Sequence, residues 1–270
     1  MKSIFDNVSA KASQQATRMY STSFSLGIMF FKKPIRKPIY AIYGFVRLAD
    51  EIVDSFNDYD KNALFKRFKE DVELAIRYRI STNPLLNSFQ EAVHTWEIDM
   101  ELIDLFLKSM EMDLNKQSYT SQEFNNYILG SAEVVGLMCL KVFCEGKQSE
   151  FEKLKPYAMK LGAAFQKVNF LRDLKADYDA LGRSYFPGLD LGRFSLSQKK
   201  AIEADIANDF AMGLKGIKML PATSLLGVYM AYVYYLMLFR KIKRTRPEII
   251  KNSRIRISNF FKLVLMLNRW

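Results

Sequence analysis

Apolar residues recur every three to four positions along most of this chain. They almost never alternate with polar residues in the period of two that marks a half-buried strand. The pattern predicts helices over about 4–19, 38–57, 59–79, 84–110, 121–145, 150–180, 197–219 and 222–244. Pro34 and Pro38 punctuate the approach to the second of these, and the run Asn57-Asp58-Tyr59-Asp60 separates it from the third. Thr120-Ser121-Gln122-Glu123 has the form of a capping box, in which a Thr side chain and a Glu three residues on satisfy each other's backbone N–H groups. The longest loop expected runs from Gly182 to Ser197. No Ser/Gly linker, fixed-period repeat or abrupt change in composition divides the chain, so a single all-α domain over 1–270 is expected.

One helix breaks the simple amphipathic rule. At about 100° per residue, Gly162, Gln166, Asn169, Asp173 and Asp177 fall on one narrow strip. Leu161, Ala164, Phe165, Val168, Phe170, Leu171, Leu174 and Tyr178 fill most of the remaining circumference. A helix apolar nearly all round is buried, and a buried carboxylate needs an ion, a hydrogen-bond donor or a metal. A second acidic strip lies far upstream, where Asp50 and Asp54 are four residues apart with Arg47 and Tyr43 on the same side. Beside it runs a broad apolar face of Phe45, Ala49, Ile52, Val53 and Phe56. Like charges four residues apart repel, so each pair is costly unless cations neutralise it. Magnesium suits two such arms, because it prefers oxygen ligands and bridges carboxylates to substrate phosphates. Two facing arms would hold a diphosphate between them, activate it as a leaving group, and leave the apolar helix faces to enclose a greasy substrate body.

Composition and charge narrow the choice. Apolar residues make up 49% of the chain and aromatics 14%, enough for a substantial core. The formal charge of +11 fits an anionic partner: a phosphorylated small molecule, an acidic membrane surface or a nucleic acid. Cys139 and Cys144 sit five apart in an apolar helical segment, which argues against a mutual disulfide and for a reducing cytoplasm. The single histidine, His94, makes a His/Cys zinc site improbable and reads best as a packing or surface residue. The N-terminus carries no apolar run of signal-peptide length, and no Gly-x-Gly-x-x-Gly turn suggests a nicotinamide site. Met219 to Phe239 is uncharged and long enough to span a bilayer, but Pro221, Thr223, Ser224 and four tyrosines favour a buried helix, one that could line an apolar cavity. The densely basic flank after it reads as a solvated surface or as a contact for phosphates or anionic lipid.

Four segments then carry a family resemblance. Tyr20–Phe24 (YSTSF), Ala41–Asp54 (AIYGFVRLADEIVD), Leu161–Asp177 (LGAAFQKVNFLRDLKAD) and Gly182–Pro187 (GRSYFP) resemble, in order and spacing, the motifs of the squalene/phytoene synthase family, most closely its bacterial phytoene synthases. The resemblance covers the chain from about residue 12 to the basic C-terminal segment. It implies an all-α isoprenoid-synthase bundle around a central apolar cavity. It also implies head-to-head condensation of two geranylgeranyl diphosphates to phytoene through a cyclopropyl diphosphate.

Within that resemblance, Asp50 and Asp54 match the first aspartate-rich motif and Asp173 and Asp177 the second, as magnesium ligands joined by Asn169. Manganese is a possible substitute, and no nicotinamide is expected. Ser21, Ser23, Arg47, Arg172, Tyr235 and Arg254 match diphosphate-binding positions. Phe24 and Tyr43 match residues near the reacting chains, Gln166 a polar position before the second motif, and Arg183 and Tyr185 the loop after it. Two departures stand out: Leu129 replaces the family's usual tyrosine, and Glu133 replaces a glycine. The partners implied are prenyl diphosphate and, peripherally, an anionic membrane reached from the cytoplasm; nucleic acid is not expected, nor is a C-terminal membrane anchor. The rivals are a synthase joining two farnesyl diphosphates to squalene or dehydrosqualene and a non-catalytic scaffold of the same fold.

Overall fold

The computed structural model describes residues 2–115, 118–190 and 194–255, without the side chains of 22, 23, 180 and 181. Its helices are α1 (Lys2–Tyr20), α2 (Thr22–Met29), α3 (Lys33–Asp54), α4 (Lys61–Tyr78), α5 (Pro84–Thr95), α6 (Met100–Asn115) and α7 (Ser121–Ile128). A π-helical turn, Leu129–Glu133, joins α7 to α8 (Val134–Phe143). Then come α9 (Gln148–Leu181), α10 (Leu196–Ile217), α11 (Leu225–Arg244) and α12 (Pro247–Ile250). Among the described residues no strand forms; the one β-type pairing is an isolated bridge between Ser118 and Ser184.

Two helices organise the rest. In α3 the apolar face of Ile35, Ile39, Ile42, Phe45, Ala49 and Ile52 is buried. Phe45 stacks on Phe89 of α5 with ring centroids 3.9 Å apart and tilts against Phe106 of α6 at 5.1 Å. Each such ring taken out of water stabilises the fold by about 1.5–3 kcal/mol. The other organiser is α9, whose 34 residues extend about 51 Å at 1.5 Å per residue. It is flanked by α8, the π-turn, α10 and α11, which explains why so many of its sides are apolar. Gly162 lets the π-turn come close, because a Cβ there would lie 2.7 Å from the Ala132 carbonyl oxygen.

The capping box at Thr120 forms as read, with Thr120 and Glu123 each bonding the other's backbone N–H. His94 is a packing residue whose Nε2 meets the Ile76 carbonyl at 2.9 Å. Three expectations need correction. The run 84–110 is two helices, broken where Glu97 takes a left-handed φ of 50°. The apolar pattern passes through the break because α5 and α6 bury their faces in the same core. The short helix α2 was not anticipated as an element, since eight residues span too few turns to show a period. Finally, α11 starts only at Leu225 and is not a buried helix, for only 28% of its apolar window is buried. Both α11 and the 121–143 segment are long and apolar enough to cross a membrane by length and composition, a test that core helices also pass.

Candidate active site

The first acidic arm is the last two turns of α3. Asp50 is surrounded by protein yet keeps about a third (35%) of its side-chain surface open. Burial, then the neighbouring charge of Asp54, pushes its carboxyl up to about 8; Arg47 opposes this from 3.9 Å. The Arg47 guanidinium binds Glu51 and lies over the Tyr20 ring at 4.4 Å. Its Nε is buried without a hydrogen-bond partner. A buried guanidinium N–H without a protein partner is a donor suited to an anion's oxygen. Tyr43, one turn earlier, stacks on Phe24 of α2 at 4.9 Å, and burial raises its hydroxyl to about 12.

The second arm is the polar strip of α9. Asp173 is held by two arginines: Arg172 donates to both carboxylate oxygens at 3.0 and 2.6 Å, and Arg254 approaches to 2.7 Å. One turn on, Asp177 makes no ion pair among the described residues. Burial, then the charges of Asp173 and Asp54, raise its carboxyl to about 7. The charge of Asp54 on α3 is thus felt at Asp177 on α9, and Arg183 bridges the two arms, its amide on the Asp177 carbonyl and its guanidinium on Asp54. Upstream on the strip, Asn169 donates to Gln166 at 3.3 Å and accepts from the Tyr235 hydroxyl of α11 at 3.2 Å. Tyr235 is fixed in turn by stacking on Phe165 at 4.1 Å.

The loop after α9 ties the arms together. Its Arg183 amide donates back to the Asp177 carbonyl at 3.1 Å, and the buried guanidinium turns towards α3 and α6. There it donates to Asp54 at 2.7 Å and to the Asp113 carbonyl at 2.6 Å, with Tyr185 Oη at 3.2 Å. Asp113 is a buried carboxylate that accepts from Tyr119 at 3.0 Å and Tyr127 at 2.5 Å. Burial raises it to about 6 despite Arg183 and those donors. The rings of Tyr119, Tyr127, Tyr185 and Phe170 pack around it, Phe170 and Tyr185 stacking at 4.0 Å. Sequence reasoning missed Asp113. Its one signal was an Asp on the same face of α6 as Phe106, Ser109 and Met110.

An apolar cavity of about 230 Å³ opens beside the polar strip. Phe24, Phe165 and Gln166 line the end near the acids, and Phe31, Leu140, Phe143 and Ile217 line the other. The donor set suits a hard divalent cation: the carboxylates of Asp50, whose one ion pair is the 3.9 Å contact to Arg47, and Asp177, and the amide of Asn169, all oxygen ligands. Among the described residues no three His, Cys, Asp or Glu side chains converge enough to hold a metal unaided. An ion here would complete its shell with water or substrate oxygens, the usual habit of magnesium.

The remaining expected residues fall as follows. Ser21 caps α2, accepting from the Phe24 amide at 3.2 Å. The Ser23 side chain lies outside the described residues. Leu129 opens the π-turn and packs against the core. Glu133 sits among Lys160, Lys167 and Asp209 between α9 and α10, so it does not extend the acidic site. Lys167 there bonds Asp205 at 2.5 Å and the fully buried Asp209 at 2.7 Å.

Known proteins match the chain in family and in fold. A model of the squalene/phytoene synthase family matches residues 17–260. The 4,4'-diapophytoene synthase of Staphylococcus haemolyticus is 26% identical over 201 residues, covering 72% of this chain and 68% of that protein. The chloroplastic phytoene synthase 1 of Solanum lycopersicum is 28% identical over 200 residues, covering 73% of this chain and 48% of that enzyme, so the match spans about half of the plant protein. In fold, the chain is similar to a ligand-bound dehydrosqualene synthase, with a TM-score of 0.82 at 20% identity over 97% of this chain and 95% of that one.

Proposed function

The chain belongs to the squalene/phytoene synthase family, and on that premise we propose that it joins two geranylgeranyl diphosphates head to head to give phytoene, with release of diphosphate. Enzymes of the family are prenyltransferases acting on prenyl diphosphates, and the isoprenoid-synthase bundle found here is theirs. The observation that carries the reading is the bridging of two carboxylate arms, Asp50/Asp54 and Asp173/Asp177, by Arg183, on the helix strip whose Gln166 lines an apolar cavity.

In this reading Asp50, Asp54, Asp173, Asp177 and Asn169 would hold magnesium, which neutralises the charge of the departing diphosphate. Arg47, with its unpaired Nε, and Arg172 and Arg254 around Asp173 would take the remaining diphosphate oxygens. Ser21 and Tyr235 would complete that polar shell. The allylic cation left in the cavity adds to the double bond of the second substrate, and loss of a proton closes the ring to a cyclopropyl diphosphate; loss of its diphosphate, rearrangement and a second proton loss yield the hydrocarbon. The stacked faces of Phe24 and Tyr43 stabilise the passing cation, and the apolar lining excludes water that would quench it. Gln166 borders the cavity and orients Asn169; Arg183 and Tyr185 position Asp54 and the loop. We place the enzyme in the cytoplasm, peripherally on anionic membrane.

A specific observation favours a second reading, condensation of two farnesyl diphosphates to squalene or dehydrosqualene. The cavity, at about 230 Å³, lies below the usual ligand-pocket range of roughly 300–1,000 Å³. Incubation of purified protein with each diphosphate and magnesium, with and without NADPH, followed by ultraviolet-detected chromatography, separates the readings. A conjugated C40 triene from geranylgeranyl diphosphate without NADPH is the expected result. A hydrocarbon formed from farnesyl diphosphate alone would establish the second reading. No hydrocarbon from either would overturn both.

A further inference from the structure

The far end of the cavity is closed by an unusual contact. Gly227, in the first turn of α11, lies so close to the Phe31 ring that a Cβ added there would sit 2.2 Å from both Cδ1 and Cε1. The next tightest approaches, a Cβ on Gly216 to Tyr157 at 2.4 Å and on Gly130 to the Leu105 carbonyl oxygen at 2.5 Å, are looser. Both backbones at this contact are tied down. The amide of Phe31 donates to Ile28, and its carbonyl accepts from Arg36 Nε at 2.7 Å. The next amide, Lys32, donates to the Thr223 carbonyl just before α11 at 3.0 Å. A side chain at 227 would therefore displace the ring of Phe31 rather than the chain. Behind the ring stands Phe143, with centroids 5.2 Å apart. The ring's open side is the cavity that Phe31 lines.

The register of α8 against α9 shows how far this contact lies from the acids. Gly162 abuts Ala132 and Gly136 abuts Ala158, so the two segments run antiparallel and Leu140 falls level with Leu154. Gln166, at the polar end, is twelve residues further along α9, or about 18 Å at 1.5 Å per residue. Phe31 and Phe143 thus meet at the tail end of the cavity.

We propose that the Gly227–Phe31 contact sets the length of prenyl tail that the cavity accepts. With no side chain at 227 the ring lies back against α11 and leaves room for the last isoprene unit. Any side chain there swings the ring into that room. This inference rests on the prenyl-diphosphate reading above.

The test compares wild type with Gly227→Ala, Phe31→Leu and the double variant. Turnover is measured on geranylgeranyl and farnesyl diphosphates in parallel with magnesium. Binding of their unreactive thiolodiphosphate analogues is measured by calorimetry. Gly227→Ala should lower the geranylgeranyl-to-farnesyl ratio about tenfold, the scale of one or two methylenes refused by an apolar pocket. Phe31→Leu should raise that ratio, and the double variant should return it towards wild type. An unchanged ratio in Gly227→Ala overturns the inference. If that variant does not fold, an unchanged ratio in Phe31→Leu overturns it. Wild type that turns over neither substrate defeats the functional reading instead, while the binding ratios still judge Gly227.

Discussion

The guanidinium of Arg183 lies 2.7 Å from the carboxylate of Asp54, joining the loop behind α9 to the first acidic arm across 129 residues of sequence. The same guanidinium reaches the Asp113 carbonyl, so one buried cation serves two carboxylate-bearing helices. Arg183→Met should leave Asp113 buried without a counter-ion and cost about 3–5 kcal/mol of stability. Tyr127→Phe removes only one donor to Asp113 and should cost less, about 1–3 kcal/mol. Urea unfolding orders the two; equal effects would show that Arg183 contributes only another hydrogen bond.

Asp50→Asn and Asp173→Asn should each reduce turnover at least about 100-fold, the scale of losing one charge-stabilising group at a reacting centre. Their stabilities should differ. Asp50 is crowded by Asp54, so neutralising it relieves repulsion and the melting temperature should hold or rise. Asp173 is paired with Arg172 and Arg254, so its loss should lower the melting temperature. Near-normal turnover in either variant, at saturating substrate and magnesium, would remove the two-arm site from the mechanism.

Stability without metal should fall as pH rises from about 4 to about 8. Asp113, Asp177 and Asp50 are raised from 3.8 to about 6, 7 and 8. In that window the folded chain retains protons that the unfolded chain has released, so raising the pH favours unfolding. Magnesium with inorganic diphosphate requires the ionised carboxylates, so the stabilisation they confer should grow over the same range. Thermal melts at several pH values, with and without both ions, check the two trends; a ligand effect that shrinks towards pH 8 would contradict the assignment of Asp50 and Asp177.

Arg240, Lys243, Arg244 and Arg246 are exposed at and just beyond the C-terminal end of α11. Each basic residue near an anionic bilayer contributes about 1 kcal/mol. Sedimentation with phosphatidylserine vesicles should capture the protein at low salt and release it at high salt. The double variant Arg240→Glu/Arg244→Glu should bind at least about tenfold more weakly. Retention through high salt and carbonate would point instead to insertion of α11.

Much of this protein is determined by its sequence alone. The 3.6-residue period specified helices, because a helix can bury only the face that its spacing makes apolar. The same spacing placed Asp50 with Asp54, and Gln166, Asn169, Asp173 and Asp177 together, each on one strip. What periodicity does not carry is where one helix stands relative to another. The break at Glu97 left no trace, since α5 and α6 present matching apolar faces to one core. Asp113 looked like any polar residue late in a helix until the fold brought Tyr119, Tyr127 and Arg183 around it. Glu133 acquired its lysine neighbours, Lys160 and Lys167, only when α9 packed on the π-turn. The approach of Gly227 to Phe31 depends on α2 and α11, nearly 200 residues apart in the chain, sharing one wall of the cavity. Local pattern decides which side chains share a helix face; packing decides which charge or ring each of them meets, and the chemistry follows from those meetings.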